Sequence, residues 1–296
     1  MTPRLEISMN KQSCFGGLDR VFTEWDRSEI AILPVPYDKT STWIKGADKG
    51  PLAIIEASSA VELYDIETDL EVYKRGIHTC GPLATSSPPE EMVREAEGKV
   101  LELLEAGKFV VTLGGEHSVS IGPVKAHSAR FKDFSVLQLD AHLDMRDEYE
   151  GSRCNHACVA SRVREICPVV QVGIRSMSVE EKSGLDAENV FFARDIIGEG
   201  AWISRVVERL SRNVYVTIDL DVFDPSIMPS TGTPEPGGLT WYPVIDLLKA
   251  VTEKRNVAGF DVVELCPVET DRSPDFMAAK LVYKFLSYIY KGRPVS

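Results

Sequence analysis

The sequence predicts a three-layer α/β/α sandwich with a mostly parallel central sheet, organised as a single domain over residues 1–296. Three observations carry this. β-type runs alternate with amphipathic helical stretches almost from end to end. The runs are mostly apolar and show no regular polar alternation, and three of them finish in acidic clusters. Strands that are hydrophobic on both faces and separated by helices belong to a parallel sheet covered on both sides. No linker composition, low-complexity segment or internal repeat divides the chain, and 296 residues fit one large α/β domain.

In order, a first strand over 29–35 leads to a helix over 51–64, where Pro51 suits a first turn. A helix over 90–107, stopped by Gly107, feeds the strand 109–113. Helical spacing over 118–127 precedes the strand 135–139, and a helix over 156–166 precedes the strands 169–173 and 190–192. The pattern repeats with a helix over 201–210, a strand over 214–218, a helix over 242–255, a strand over 258–263 and a last helix over 276–290.

The acidic clusters are Gly114-Gly115-Glu116-His117, Asp140-Ala141-His142-Leu143-Asp144 and Asp219-Leu220-Asp221, at or just past the ends of the strands 109–113, 135–139 and 214–218. Acidic residues are poor strand formers and are rarely buried unpaired, so three such clusters need something positive to hold them. Oxygen and imidazole ligands suit hard or borderline divalent cations such as Mn²⁺, and a carboxylate can bridge two of them. Along an extended segment residues i and i+2 share a face, so Asp140 and His142 converge, as do Asp219 and Asp221. Open parallel sheets bind ligands at this carboxyl edge, near a switch in strand order. One such cluster would read as a solvated strand-end turn; three together do not.

Composition narrows the partners. The chain is 44% hydrophobic and 26% charged, with 33 basic against 45 acidic residues and a net charge of −12. That balance argues against a nucleic-acid backbone and is compatible with a small cationic substrate. The N-terminal residues have no apolar core for a signal peptide, and no run is long enough to cross a bilayer, so a cytoplasmic location is expected. Six cysteines without framework spacing read as reduced thiols. Cys154-Asn155-His156-Ala157-Cys158 lacks a second ligand pair at zinc-finger spacing.

Leu113-Gly114-Gly115-Glu116-His117-Ser118, Asp140-Ala141-His142-Leu143-Asp144-Met145-Arg146-Asp147, Thr217-Ile218-Asp219-Leu220-Asp221 and Gly232-Thr233-Pro234-Glu235-Pro236-Gly237-Gly238-Leu239 resemble the signatures of the ureohydrolases, the family of arginase and agmatinase. Pro36-Tyr37-Asp38-Lys39-Thr40 and the segment 50–58 resemble the N-terminal part of archaeal-type agmatinases. The resemblance implies an arginase-like fold and two Mn²⁺ per chain, other divalent metals being possible. His117 would bind one metal, His142 and Asp221 the other, with Asp140, Asp144 and Asp219 touching both or lying between them. Two dications, four aspartates and a hydroxide between the metals leave about one net negative charge, which suits a guanidinium. Glu264 matches the carboxylate that grips the guanidinium, and His156 the histidine that hands a proton to the departing amine. His78 and His127 match no ligand motif and read as structural or solvated.

Departures from the pattern are Asn155 before His156, where Ser is common, together with Cys266 and Ser230. Asn155 and Arg146 are the candidates for the substrate pocket. Arg146 could bind a substrate carboxylate, or brace its loop by pairing with Asp147 or another acid; the brace is the expectation. The resemblance implies hydrolysis of agmatine to putrescine and urea by a homo-oligomer, trimeric or hexameric. Aminopropylagmatine, guanidinobutyrate, guanidine, arginine and formiminoglutamate remain alternative substrates. A catalytically silent, metal-stabilised binding protein is the alternative of another class.

Overall fold

In the computed structural model, which describes residues 14–84 and 86–292, eight strands form one sheet in which every neighbouring pair is parallel. The strands are β1 (Ile30–Val35), β2 (Ile77–Thr79), β3 (Phe109–Gly114), β4 (Phe134–Leu139), β5 (Val169–Ile174), β6 (Val190–Phe192), β7 (Asn213–Asp219) and β8 (Asn256–Val263). Their order across the sheet is β2-β1-β3-β8-β7-β4-β5-β6. β3 and β4 are therefore three places apart, with β8 and β7, from late in the chain, between them. The segment 1–8, read above for a signal peptide, lies outside the described residues.

The helices are α1 (Gly50–Ser58), α2 (Pro89–Glu105), α3 (Ile121–Arg130), α4 (Val159–Arg164), α5 (Ala193–Ile196), α6 (Trp202–Arg209), α7 (Trp241–Lys254) and α8 (Ser273–Tyr290). One face of the sheet packs α2, α3 and α4 against Ala31, Leu33, Val110 and Val136; the other packs α1, α5, α6, α7 and α8 against Ile30, Ile32, Val111 and Leu137. Both sides of each inner strand are buried, which is why these strands carry no polar alternation. Among the described residues no helix is long and apolar enough to cross a membrane.

The structure corrects several expected bounds. The first helix stops at Ser58 instead of reaching residue 64, because the chain turns at Ser59 and Ala60. Residues 117–120 and 156–158 form 3₁₀ turns ahead of α3 and α4 instead of their first α-helical turns. β2, only three residues at the sheet edge, and the single-turn α5 lack the length that makes a pattern readable.

Candidate metal centre and active site

Every predicted cluster lies at the carboxyl ends of β3, β8, β7 and β4, four consecutive strands at the switch in order. β3 ends in Gly114, and the turn that follows presents His117; Glu116 caps that turn by accepting the Ser118 N–H at 2.8 Å. A side chain on Gly115 would put its Cβ 1.9 Å from the Tyr37 carbonyl oxygen, so only glycine lets the loop after β1 approach this closely. The Gly115 carbonyl accepts the Glu264 N–H and the Tyr37 carbonyl the Glu116 N–H, both at 2.8 Å, tying three loops together. Asp144 and Glu264 hold left-handed backbone, φ 53° and 66°, uncommon for residues with side chains and concentrated at functional sites.

The six expected ligands come together. His117 Nδ1 lies 3.1 Å from Asp140 Oδ2, 3.1 Å from Asp144 Oδ2 and 3.2 Å from Asp219 Oδ2. His142 Nδ1 lies 2.8 Å from Asp221 Oδ2 and 3.6 Å from Asp140 Oδ1. Two groups of donors result, His117/Asp140/Asp219 and Asp140/His142/Asp221, and Asp140 belongs to both. All of these but His142 are buried.

The donor set fits cations. Burial works against charge on His117 and His142, yet the carboxylates raise both well above the usual imidazole range. Burial and then Asp140 push Asp144 up to about 7, and burial with Asp221 raises Asp219 well above its usual value. The cluster's own charges thus force protons onto it, a demand that bound dications would remove. His117 Nδ1 is also buried without a hydrogen bond while facing three carboxylates.

A polar row beneath the site explains that orientation. Gln171, Gln138, Thr217, Asp261 and Thr112 are in register across β5, β4, β7, β8 and β3, and all are buried. Thr217 Oγ1 donates to Asp261 Oδ1 at 2.7 Å, so it receives the His117 Nε2–H at 3.0 Å and leaves Nδ1 as the nitrogen that faces the carboxylates and would ligate a cation. Tyr215 donates to the second Asp261 oxygen at 2.8 Å, and Gln138 Nε2 donates to Asp140 Oδ2 at 2.7 Å. Sequence reasoning missed this row. A polar residue inside an otherwise apolar central strand was the available signal.

A cleft of about 170 Å³ opens beside His142 and Asp144, lined by Thr42, Arg146, Tyr149, His156, Glu181 and Thr233 among others. His156 is half-buried there, and burial, then the charges of His142 and His117, hold its imidazole down at about 4. Glu264 is buried; its Oε1 accepts the His117 N–H at 2.8 Å. Burial and then Glu116 raise its carboxyl well above the usual range.

Two pocket expectations are corrected. Asn155 does not line the cleft: it is buried, and its side chain caps the turn carrying His156 by accepting the Ala157 N–H at 3.1 Å. Arg146 does line it, but without the expected ion pair. Asp147 is taken by Arg162 and Arg153, at 2.7 and 3.0 Å, and the Arg146 guanidinium lies over the Tyr149 ring, 4.4 Å from its centre. His78 and His127 are structural, bonding the carbonyls of Thr23 and Pro123 at 2.9 and 2.8 Å.

The sequence model of the Arginase family matches residues 28–287. The chain is 39% identical over 277 residues to an N(1)-aminopropylagmatine ureohydrolase of Synechocystis, covering 90% of each chain. It is 37% identical over 264 residues to an agmatinase of Pyrococcus horikoshii, covering 86% of this chain and 90% of the relative. Its fold is similar to the crystal structure of the agmatine ureohydrolase of Thermoplasma volcanium, with a TM-score of 0.83 at 32% identity over 91% of this chain and 92% of the other.

Proposed function

This chain belongs to the arginase family, and from that premise we propose that it is a manganese-dependent hydrolase that takes urea from the guanidino group of agmatine and leaves putrescine. The observation that supports it is the pair of three-donor groups sharing Asp140, with Glu264 beside them. His117, Asp140, Asp144 and Asp219 would hold one ion, and Asp140, His142 and Asp221 the other. Two divalent ions bound there supply a water acidic enough to attack near neutral pH.

The chain's own residues do the rest. Glu264 has one oxygen committed to the His117 N–H; Oε2, which lies against Gly232, is left for the guanidinium N–H donors. His156, neutral at physiological pH, accepts a proton from the attacking water and passes it to the departing nitrogen, which leaves poorly as an anion. The water's C–O bond forms as the C–N bond to the alkyl amine breaks. A guanidinium and water thereby become urea and an alkylammonium, with charge conserved.

A second reading is N(1)-aminopropylagmatine, favoured by the 39% identity to the Synechocystis enzyme of that name. The same proposal includes a homo-oligomer in the cytoplasm, checked by sedimentation and localisation. The test is urea release by the manganese-loaded protein from agmatine, aminopropylagmatine, guanidinobutyrate, arginine and guanidine, with formiminoglutamate assayed for formamide. The highest kcat/KM on agmatine supports the first reading. Turnover of none of them would leave the silent binding protein in its place.

A further inference from the structure

One arginine that does not line the cleft grips the backbone that carries the second donor group, Asp140, His142 and Asp221. Arg175 follows β5, and among the described residues every hydrogen-bond acceptor of its guanidinium is a backbone carbonyl. Nη2 donates to Asp221 at 2.6 Å and to Phe223 at 3.3 Å, on the 3₁₀ turn Leu220–Val222 and at its end. It also donates to Glu235 at 2.7 Å, while Nε donates to Pro236 at 3.1 Å. A single side chain thus joins the turn after β7 to the loop before α7.

The backbone of the same residue holds the other half of the group. The Arg175 and Ser176 N–H groups both donate to the Ala141 carbonyl, at 2.8 and 3.0 Å, and Ala141 sits between Asp140 and His142. The Ala141 N–H donates in turn to Asp221 Oδ1 at 2.9 Å. A closed ring results, running from the Arg175 guanidinium to the Asp221 carbonyl, from the Asp221 carboxylate to the Ala141 N–H, and from the Ala141 carbonyl back to the Arg175 N–H. The loop of Glu235 adds a third hold, because its Thr233 places Oγ1 3.4 Å from His142 Nε2. His117, in the first donor group, is fixed instead through Thr217 on β7 and Glu264 after β8.

Backbone carbonyls turned toward one point need donors, since a buried one left unpaired costs about as much as a lost hydrogen bond. A guanidinium carries five N–H donors in a rigid planar fork and can serve two turns at once, whereas an ammonium is a compact point charge. We propose that Arg175 is a positioning residue for one metal of the pair. It sets the spacing of His142 and Asp221, so its loss loosens the ion they would hold and spares the ion on the His117 side. The proposal rests on the two-metal reading given above. It needs no change of protonation, because the guanidinium stays charged and its acceptors are carbonyls.

The test is manganese binding by the full-length protein, dialysed against a series of free Mn²⁺ concentrations. Ions are counted per chain and read by electron paramagnetic resonance. Wild type should bind two ions with the spectrum of a spin-coupled pair. Arg175→Lys keeps the charge and the stem but cannot bridge both turns. One ion should then need roughly 10- to 100-fold more free Mn²⁺, the usual effect of removing an outer partner of a ligand, while the other shifts by less than about threefold. The single-ion spectrum should match that of Asp221→Asn, which removes a donor of the second group, and differ from that of His117→Asn. Arg175→Gln takes its place if Arg175→Lys does not fold. Arg255→Lys is the control for a purely structural arginine: Arg255, before β8, also donates to carbonyls, of Leu210 at 2.9 Å and Val207 at 2.8 Å, and its loss should leave both ions in place. Unchanged affinities in Arg175→Lys, equal weakening of both ions, a remaining spectrum like that of His117→Asn, or the same loss in Arg255→Lys would each overturn the role. A wild type that binds fewer than two ions would overturn the two-metal reading and this proposal with it. None of these readouts uses turnover, so the substrate proposed above can fail while the role of Arg175 stands.

Discussion

Stripped of divalent cations, the protein should lose stability as pH rises from about 7 to 8.5, and added cations should return more stability at the higher pH. Burial disfavours charge on His117 and His142, but Asp140, Asp144, Asp219 and Asp221 outweigh it and raise both imidazoles. A raised histidine contributes stability below its unfolded value of about 6.5, and that contribution is lost as pH climbs toward the folded value. Asp144, pushed up to about 7, adds the same sign, since the folded carboxyl keeps a proton that the unfolded one has released. His127 and His156, both held down at about 4, act in the opposite direction. Their effect ends near pH 7, where unfolded imidazoles no longer bind protons. Above that, each proton held only by the folded chain removes about 1.4 kcal/mol per pH unit. Two such protons over about 1.5 units remove about 4 kcal/mol, a large part of a typical total of about 5–15 kcal/mol. Urea unfolding of chelator-treated protein across this pH range, with and without excess Mn²⁺, measures it. Metal-bound imidazoles are deprotonated ligands, so excess cation should abolish the slope. Stability that stays level or rises with pH in the chelated protein would refute the reasoning.

Asp140→Ala should lose at least one metal and nearly all activity, because Asp140 is the carboxylate common to both donor groups; two manganese per chain by elemental analysis would contradict this. Glu264→Gln keeps the shape but loses the charge opposite the guanidinium, so kcat/KM should fall by roughly 10- to 200-fold, the equivalent of a charged hydrogen bond worth about 1.5–3 kcal/mol. Arg146→Ala should lower the preference for guanidinobutyrate over agmatine if the guanidinium reads a carboxylate in the cleft, and should leave that ratio unchanged if it only stacks on Tyr149; a substrate panel measures the ratio.

The two groups of clustered donors were legible because their spacing follows from strand geometry. Once 135–139 and 214–218 read as buried strands, the i, i+2 pairs after them had to converge, and β7 and β4 do lie side by side. The polar row beneath them was not legible as a unit. Gln138, Thr217 and Asp261 are far apart in sequence, and each looks like a lone polar interruption until β8 pairs with β7 and brings Thr217 into register with Asp261. The strand order that creates this neighbourhood, with late β7 and β8 inserted between early β3 and β4, is a long-range property that no local pattern encodes.

The outer end of the cleft shows where adjacency in sequence misleads. Arg146 and Asp147 are adjacent in sequence and opposite in charge, which invites pairing, yet their side chains diverge at the loop. Asp147 is exposed and pairs with Arg153 and Arg162, the latter from α4, whereas Arg146 turns back over Tyr149 into the cleft. Arg162 is buried and can lose its desolvation penalty only by gaining an anion, so it wins Asp147 where the half-exposed Arg146 need not. Glu181, a second buried acid on the cleft wall beside Asp144, is likewise committed, accepting the backbone N–H groups of Met145 at 2.8 Å and Ser178 at 2.7 Å. Which charges face the outer cleft therefore depends on which ones the surrounding loops have already paired. The strands gather the donors at the carboxyl edge, while the loops after β4 and β5 decide which charges line the cleft beside them.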